Sequence, residues 1–170
     1  MQFVRYNSGP SPAWGVKDGE EVHVLADLPA GEPTYQDLAN RSYLDIVRGA
    51  VANGALSRID RDEVSLLAPV PRPPKLICVG LNYRDHAEEQ DEEIPEEPVL
   101  FGKAPTTVTN PGSPIVHPAG EEVDYEVELG VVVGRTAKNI DESEAPEHIA
   151  GYTALNDVSG RNAQFSDDQF

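Results

Sequence analysis

The segment from Val123 to Gly134 places the tightest constraint on how this chain can fold. Its first half alternates apolar and acidic residues, in the order Val123, Asp124, Tyr125, Glu126, Val127, Glu128 and Leu129. Because successive side chains of a β-strand point to opposite faces, one face is apolar and the other carries three carboxylates. The following Val131-Val132-Val133 is apolar on both faces, which predicts a strand end buried on both sides and acids that line a pocket. The alternative is a solvated acidic face, the commoner arrangement in antiparallel sheets.

A proline-rich segment at residues 69–74 divides the chain. Four of its six residues are proline, and none of these can donate a backbone hydrogen bond. Such a segment is a stiff linker. We therefore expect a small α+β domain at residues 1–68 and a second domain at residues 75–170.

Local signals predict the elements of the first domain. Short strands should fill the chain to about residue 28, with a turn at Lys17-Asp18-Gly19. Thr34 and Asp37 resemble a capping box, so a helix should start near Thr34 and end at Asn53-Gly54. Its apolar face would hold Leu38, Ile46, Val47 and Ala50. Strands are expected at residues 64–67 and, buried, at residues 75–81, where the single cysteine, Cys78, would act as a small hydrophobe.

The charge of the chain limits its partners. Asp and Glu number 30 against 13 Lys and Arg, which gives a net charge of −17. Such a surface repels nucleic acid and anionic membranes. Scarce lysine and dispersed acids indicate a halophilic protein from a high-salt cytoplasm, and an ordinary acidic enzyme is the alternative. The sequence has no apolar run long enough to span a membrane and no signal-peptide pattern at its start, so we expect a cytoplasmic protein.

Four motifs together resemble the fumarylacetoacetate hydrolase family, over about residues 69–164. They are Gly80-Leu81-Asn82-Tyr83-Arg84-Asp85-His86, Phe101-Gly102-Lys103-Ala104-Pro105, Asp124-Tyr125-Glu126-Val127-Glu128-Leu129-Gly130, and Asn156-Asp157. The third is similar to the family's metal strand, and the fourth lies where the family places its third ligand. Each motif is weak alone, and their order and spacing are specific.

The resemblance implies a metal held by Glu126, Glu128 and Asp157. Three carboxylates without His or Cys form an all-oxygen site, which suits Mg²⁺, Mn²⁺ or Ca²⁺ rather than zinc. The family motif does not call for Asp124, which we interpret as a rim residue or a partner of a ligand.

The resemblance also implies a general-base pair, His86 and Glu89, which stand three residues apart and would meet on one helical turn. Glu88 is a rival partner for His86, and a surface ion pair is the alternative for the histidine. Arg161 and Gln164 are candidate contacts to a substrate carboxylate or carbonyl, or else a pair on a helix surface. Lys103 is a further substrate-binding candidate. Asn162 stands where the family often has Asp.

The implied fold is α+β and mostly β, with a small N-terminal domain before part of a mixed β-roll catalytic domain. The implied activity is hydrolysis of a carbon–carbon bond in a small 2,4-dioxo acid of acylpyruvate type, through a metal-stabilised enolate. Decarboxylase, isomerase and sugar-acid dehydratase activities remain alternatives, as does a non-catalytic fragment that binds metal or a partner. The family continues with a catalytic lysine and closing strands, so we expect this chain to be truncated and the complete protein to be a homodimer.

Overall fold

The computed structural model describes residues 1–166. They form α+β structure with mostly β content, as expected, and divide into two compact units. One unit comprises residues 1–69 and 126–157, and the other comprises residues 70–125 and, of the described residues, 158–166. The change of unit after Pro69 falls at the start of the proline-rich segment.

A five-stranded antiparallel sheet forms the base of the first unit. Its strands are β1 (Gln2–Asn7), β2 (Ala13–Asp18), β3 (Glu21–Val24), β4 (Arg58–Asp60) and β5 (Ser65–Leu67). Their order across the sheet is β4-β3-β2-β1-β5. The predicted turn lies between β2 and β3, where Gly19 has φ +58°. The β1–β2 and β2–β3 pairs join consecutive strands through short turns, which local patterning can predict. The β3–β4 and β1–β5 pairs join strands that are distant in the sequence.

Two helices follow the first three strands, where one had been predicted. They are α1 (Tyr35–Leu38) and α2 (Arg41–Ala52). The capping box of Thr34 and Asp37 is present, and α2 ends at Asn53 before Gly54 with φ +65°. The interruption has a local cause: Asn40 is extended, and its side chain accepts from Ser42 N–H as the cap of α2.

The core of the first unit forms between this sheet and the helices. One buried cluster holds Val16, Leu25, Leu28, Leu38, Tyr43, Val47 and Leu56, and a second holds Val4, Tyr6, Val22 and Val64. Val47 is fully buried, but Ile46 is 56% exposed, so its assignment to the apolar helix face is wrong. A helix turns 100° per residue, and adjacent residues cannot both point into one narrow core.

A second antiparallel pair completes the first unit: β9 (Val127–Val133) with β10 (Ile149–Asn156). Gly134 follows β9 and lies against α1. A Cβ on Gly134 would stand 2.5 Å from the Tyr35 carbonyl oxygen and 2.8 Å from the Ala150 Cβ. Only glycine allows the backbone to approach so closely.

The second unit has shorter elements. They are β6 (Leu76–Gly80), α3 (Arg84–Glu89), β7 (Val99–Lys103), β8 (Val123–Asp124), β11 (Ser159–Gly160) and α4 (Arg161–Ser166). β6 pairs with β7 and β8 pairs with β11, both antiparallel. The predicted burial of β6 is wrong, since Ile77 is 58% exposed and Cys78 is half-buried. Within residues 1–166, no helix is both long and apolar enough to cross a membrane.

Candidate functional site

The acidic strand is interrupted where one continuous strand had been predicted. β8 ends at Asp124 and β9 begins at Val127, so Tyr125 and Glu126 belong to neither. Asp124 belongs to the second unit, and Glu126 and Glu128 belong to the first. The expectation that three acids alternate along one unbroken strand is therefore wrong: Asp124 ends β8, Glu126 lies between the strands, and only Glu128 lies within β9.

The register of the β9–β10 pair places Glu126, Glu128 and Asp157 on one face. Leu155 is the cross-strand partner of Glu128, and the ladder continues beyond the strand ends, where Asp157 N–H donates to the Glu126 carbonyl at 2.8 Å. Glu126 N–H donates in turn to the Asn156 side chain at 3.2 Å. Because side chains alternate along both strands, the three carboxylates project from the same side of the sheet. The Asn156 side chain thus holds the backbone of Glu126, a role that sequence reasoning missed.

The face that carries the acids is the sheltered one. Glu126 and Glu128 are half-buried, and Asp157 is only 6% exposed. The opposite face shows Val127 at 76% and Leu129 at 61% exposure. The acids of β9 are therefore not a solvated strand face. The expectation that Val131 and Val133 are buried on both sides is also wrong, since both are exposed.

The donor atoms of these carboxylates decide which cation they could bind. They offer only oxygen donors, and carboxylates on one sheltered face repel one another unless a cation lies between them. This chemistry fits a hard divalent cation. Across residues 1–166, however, no three His, Cys, Asp or Glu side chains stand close enough to hold a metal. Residues opposite in a ladder have Cβ atoms about 5 Å apart, so rotation of the glutamate side chains would be needed to close the site.

The close approach of β10 explains why glycine occupies position 130, after Glu126 and Glu128. Gly130 stands opposite Thr153 in the β9–β10 ladder, on the same face as Glu128. A Cβ there would lie 2.9 Å from Thr153 Cγ2 and 3.3 Å from its carbonyl oxygen. A larger residue would push β10 away from β9 and displace the carboxylates that the two strands hold.

His86 lies on α3, in the second unit, and is half-buried. Its Nε2 atom contacts Gln90 Nε2 at 2.6 Å. Among the residues that the structure describes, His86 forms no hydrogen bond or ion pair with Glu89 or Glu88. Gln90 is thus the recorded partner of the imidazole, and its spacing of four residues on a helical turn could have revealed it in the sequence.

The turn before α3 carries backbone strain. Leu81, between β6 and α3, has φ +48°. A residue other than Gly, Asn or Asp seldom adopts this left-handed conformation, which costs on the order of 1 kcal/mol. The strain lies in the motif that leads to His86, and strained residues cluster at functional sites.

Arg161 and Gln164 do come together on α4. Arg161 Nη1 donates to Gln164 Oε1 at 2.7 Å. The same guanidinium donates to Asp124 Oδ2 from Nε at 3.1 Å and from Nη2 at 2.8 Å. This contact holds the pKa of Asp124 below its usual range, with help from the Tyr125 N–H that donates to its other oxygen. Asp124 is therefore the partner of an arginine, which its place in the sequence did not indicate.

Asn162 and Lys103 occupy defined positions in the same unit. Asn162 Oδ1 accepts from Glu122 N–H at 2.7 Å, a bond that an amide makes without the charge of an aspartate. Lys103 is the last residue of β7, opposite Leu76, and is half-buried. The proposed metal ligands thus lie in one unit, and the proposed base and substrate contacts lie in the other.

Two family models together match all of the chain except residues 70–74. The fumarylacetoacetate hydrolase C-terminal model matches residues 75–170, and the Rv2993c-like N-terminal model matches residues 1–69. The chain is 44% identical over 173 residues to the human protein named oxaloacetate tautomerase FAHD2A, mitochondrial, and 38% identical to the Xenopus laevis protein named oxaloacetate tautomerase fahd2, mitochondrial. Each match covers 96% of this chain and 54% of the relative, so the chain spans about half the length of these curated relatives.

Solved structures share the fold. The fumarylacetoacetate hydrolase from the psychrophile Exiguobacterium antarcticum matches with a TM-score of 0.74 and 30% identity, over 99% of this chain and 59% of that one. The maleylpyruvate hydrolase from Sphingobium sp. SYK-6, in complex with manganese(II) and pyruvate, matches with a TM-score of 0.72 and 29% identity, over 95% and 60%. The fold expected from the sequence is confirmed.

Proposed function

This chain belongs to the fumarylacetoacetate hydrolase family, and on that premise we propose that its protein is a divalent-metal-dependent enzyme acting on a small 2-oxo acid. One observation carries the proposal: three carboxylates lie on the sheltered face of the β9–β10 sheet while the apolar face is exposed. A fold seldom shelters carboxylates while it exposes valines. Where it does so, the carboxylates are usually paired or bind a metal ion.

Glu126, Glu128 and Asp157 are the residues that would hold the metal. A bound divalent cation would supply a Lewis acid for the 2-oxo carboxylate group of the substrate. Mg²⁺ and Mn²⁺ are the candidates, with Ca²⁺ as a further one, because all three prefer oxygen donors. The manganese in the maleylpyruvate hydrolase structure supports a divalent metal in this family.

The reaction that we propose first is keto–enol tautomerisation of a small 2-oxo dicarboxylic acid. The names of relatives 38–44% identical to this chain support it. The reaction moves one proton between the carbon beside the keto group and the keto oxygen, and no bond to carbon other than this C–H bond is broken. A histidine can take and return that proton near neutral pH, and we assign this task to His86. Its Nε2 contacts the Gln90 side-chain amide, so Gln90 is placed to orient the imidazole.

Hydrolysis of a 2,4-dioxo acid is the second candidate, favoured by the maleylpyruvate hydrolase match. Here water adds to the distal carbonyl at C4, and His86 accepts the proton of that water. The C3–C4 bond then breaks, and the pyruvate enolate that leaves takes up a proton at C3. With 2,4-dioxopentanoate, one water is consumed, and pyruvate and acetate are formed. Both reactions need the same carboxylates and the same base, so the residues alone do not choose between them.

One assay with two substrates tests the proposal. The full-length protein is given Mg²⁺ or Mn²⁺ and either oxaloacetate, followed by the ultraviolet absorbance of its enol, or 2,4-dioxopentanoate, followed by pyruvate formation. Accelerated keto–enol interconversion without pyruvate supports the tautomerase, and metal-dependent pyruvate formation supports the hydrolase. No metal-dependent turnover of either acid would overturn both and favour the non-catalytic metal-binding alternative.

We also propose that the complete protein is a cytoplasmic homodimer. The family resemblance motivates the dimer, and the exposed apolar face of β9 gives it a surface that a partner could cover. Light scattering of the full-length protein at physiological and molar salt tests the assembly. A monomer at both salt concentrations would refute it.

A further inference from the structure

Asp124 and Arg161 form a two-point side-chain contact within the second unit. Both Nε and Nη2 of Arg161 donate to Asp124 Oδ2, at 3.1 and 2.8 Å. The arginine side chain is 18% exposed and the aspartate side chain is 48% exposed, so the pair is sheltered from water on the side of the arginine. Charge-assisted contacts of this kind are about twice as strong as neutral hydrogen bonds.

The backbone around both residues is also held. β8 and β11 pair so that Asp124 faces Ser159 and Val123 faces Gly160. Arg161 N–H donates to the Glu122 carbonyl at 2.8 Å, and Asn162 Oδ1 accepts from Glu122 N–H at 2.7 Å. The segment that carries Asp124 and the start of α4 are thus fixed to one another by contacts on both sides.

The guanidinium is oriented from a second direction as well. Arg161 Nη1 donates to Gln164 Oε1 at 2.7 Å, one helical turn further along α4. The Asp124 carboxylate is itself immobilised, because its Oδ1 accepts from Tyr125 N–H at 2.9 Å. A planar guanidinium held at two edges has a defined plane, which is what recognition of a carboxylate requires.

We infer that Asp124 is a positioning residue that fixes the plane of the Arg161 guanidinium for a substrate carboxylate. The identity of the ligand that Arg161 binds, a substrate carboxylate, rests on the proposed function. The contact that orients the arginine is independent of it. Asp124 is therefore part of the substrate-binding machinery, and a variant at this position is unsuitable as a neutral control for the metal ligands.

The contact is tested first without substrate. In full-length protein, the Nε–Hε resonance of Arg161, assigned by its loss in Arg161→Lys, should be protected from exchange with water. Asp124→Ala should abolish that protection, and Asp124→Asn, which keeps an acceptor, should retain part of it. The matched control is Asp45→Ala, which removes the aspartate of the exposed Asp45–Arg48 pair. Protection that survives Asp124→Ala would overturn the positioning role.

Steady-state kinetics then test whether the oriented Arg161 guanidinium binds the substrate carboxylate. With whichever acid the enzyme turns over, Asp124→Ala should raise KM about tenfold and change kcat less than about twofold, because the lost interaction binds substrate and transition state alike. In an Arg161→Ala background, the same change should add nothing further. A full additional effect there, or an unchanged KM in the single variant, would overturn the inference. If no acid is turned over, the proposed function fails, and the resonance of Arg161 still decides the positioning role.

Discussion

Asp157 N–H donates to the Glu126 carbonyl oxygen at 2.8 Å, so the ladder between β9 and β10 continues beyond both strands to the two carboxylates. The bond ties together residues that are distant in the sequence. Their backbones therefore stay together as long as the pair of strands is intact, and a ligand that binds both carboxylates depends on that pairing.

The metal assignment predicts a shared phenotype. In full-length protein, Glu126→Gln, Glu128→Gln and Asp157→Asn should each abolish metal-dependent turnover. Each should also weaken Mn²⁺ binding by more than the roughly 10- to 100-fold that loss of an outer partner of a ligand costs. Glu147→Gln, at an exposed position of the same unit, is the control. Calorimetric titration with Mn²⁺, and EDTA followed by re-addition of Mg²⁺ or Mn²⁺, give the measurements. Equal and mild effects in all four variants would contradict the assignment.

The base assignment predicts a loss of rate without a loss of metal. His86→Ala should lower kcat by roughly 10²- to 10⁴-fold, the usual contribution of a positioned general base. Metal affinity should stay within about twofold, since His86 is not a proposed ligand. The exposed His117 supplies the control variant, His117→Ala. Near-normal turnover of His86→Ala would contradict the assignment of His86 as the general base.

The close approach at Gly134 predicts a stability defect. Gly134→Ala should lower the free energy of unfolding by about 1–3 kcal/mol, the usual cost of overpacking, because the new Cβ collides with backbone and with Ala150. Gly151→Ala lies in the same pair of strands, where an added Cβ meets nothing within 4 Å. Urea denaturation compares the two variants. Equal stabilities would show that β9 and α1 separate easily.

The capping box predicts a pH-dependent contribution of Asp37. The Thr34 hydroxyl, and after it the Thr34 N–H, lower the pKa of Asp37 by hydrogen bonding to its carboxylate. A lowered folded-state pKa gives stability that is present above the unfolded pKa, about 4, and is lost as pH falls through the folded value. The difference in melting temperature between wild type and Asp37→Asn should therefore be largest well above the unfolded pKa and should shrink as the pH falls below it. A difference that is constant with pH would contradict the charge-based cap.

The net charge of −17 predicts a dependence on salt. Self-repulsion destabilises the fold in dilute buffer, and the screening length falls from about 30 Å at 0.01 M to about 3 Å at 1 M salt. The melting temperature should rise between dilute buffer and molar KCl, and equimolar sorbitol controls for excluded-volume effects. A flat or falling trend would remove the high-salt interpretation.

Sequence patterns were reliable where the responsible forces are local. The capping box at Thr34, the end of α2 at Asn53-Gly54 and the turn after β2 depend on residues within one turn of each other. The break between α1 and α2 at Asn40 is also local. The apolar pattern of residues 34–53 continues through it, so the sequence predicted a single helix. Propensity carries little weight against a side chain that caps its own backbone.

Exposure and long-range pairing could not be predicted in this way. Alternation in β9 identified its two faces but not which of them is sheltered, because that depends on what packs on the sheet. The Asp124–Arg161 contact joins positions 37 residues apart, and the family motif gave no signal for it. The carboxylate triad was found through the resemblance, since alternating acids in so acidic a chain are otherwise unremarkable.

The division of the first unit into residues 1–69 and 126–157 has a consequence for how the chain acquires its structure. During synthesis, β1 to β5 emerge early and can pair with their neighbours, but β9 and β10 reach α1 only after all of residues 70–125 have been translated. Closing so long an intervening segment costs conformational entropy and slows folding relative to contacts between neighbours. We therefore expect Gly134 to dock on α1 late, as a slow kinetic phase separate from formation of the five-stranded sheet.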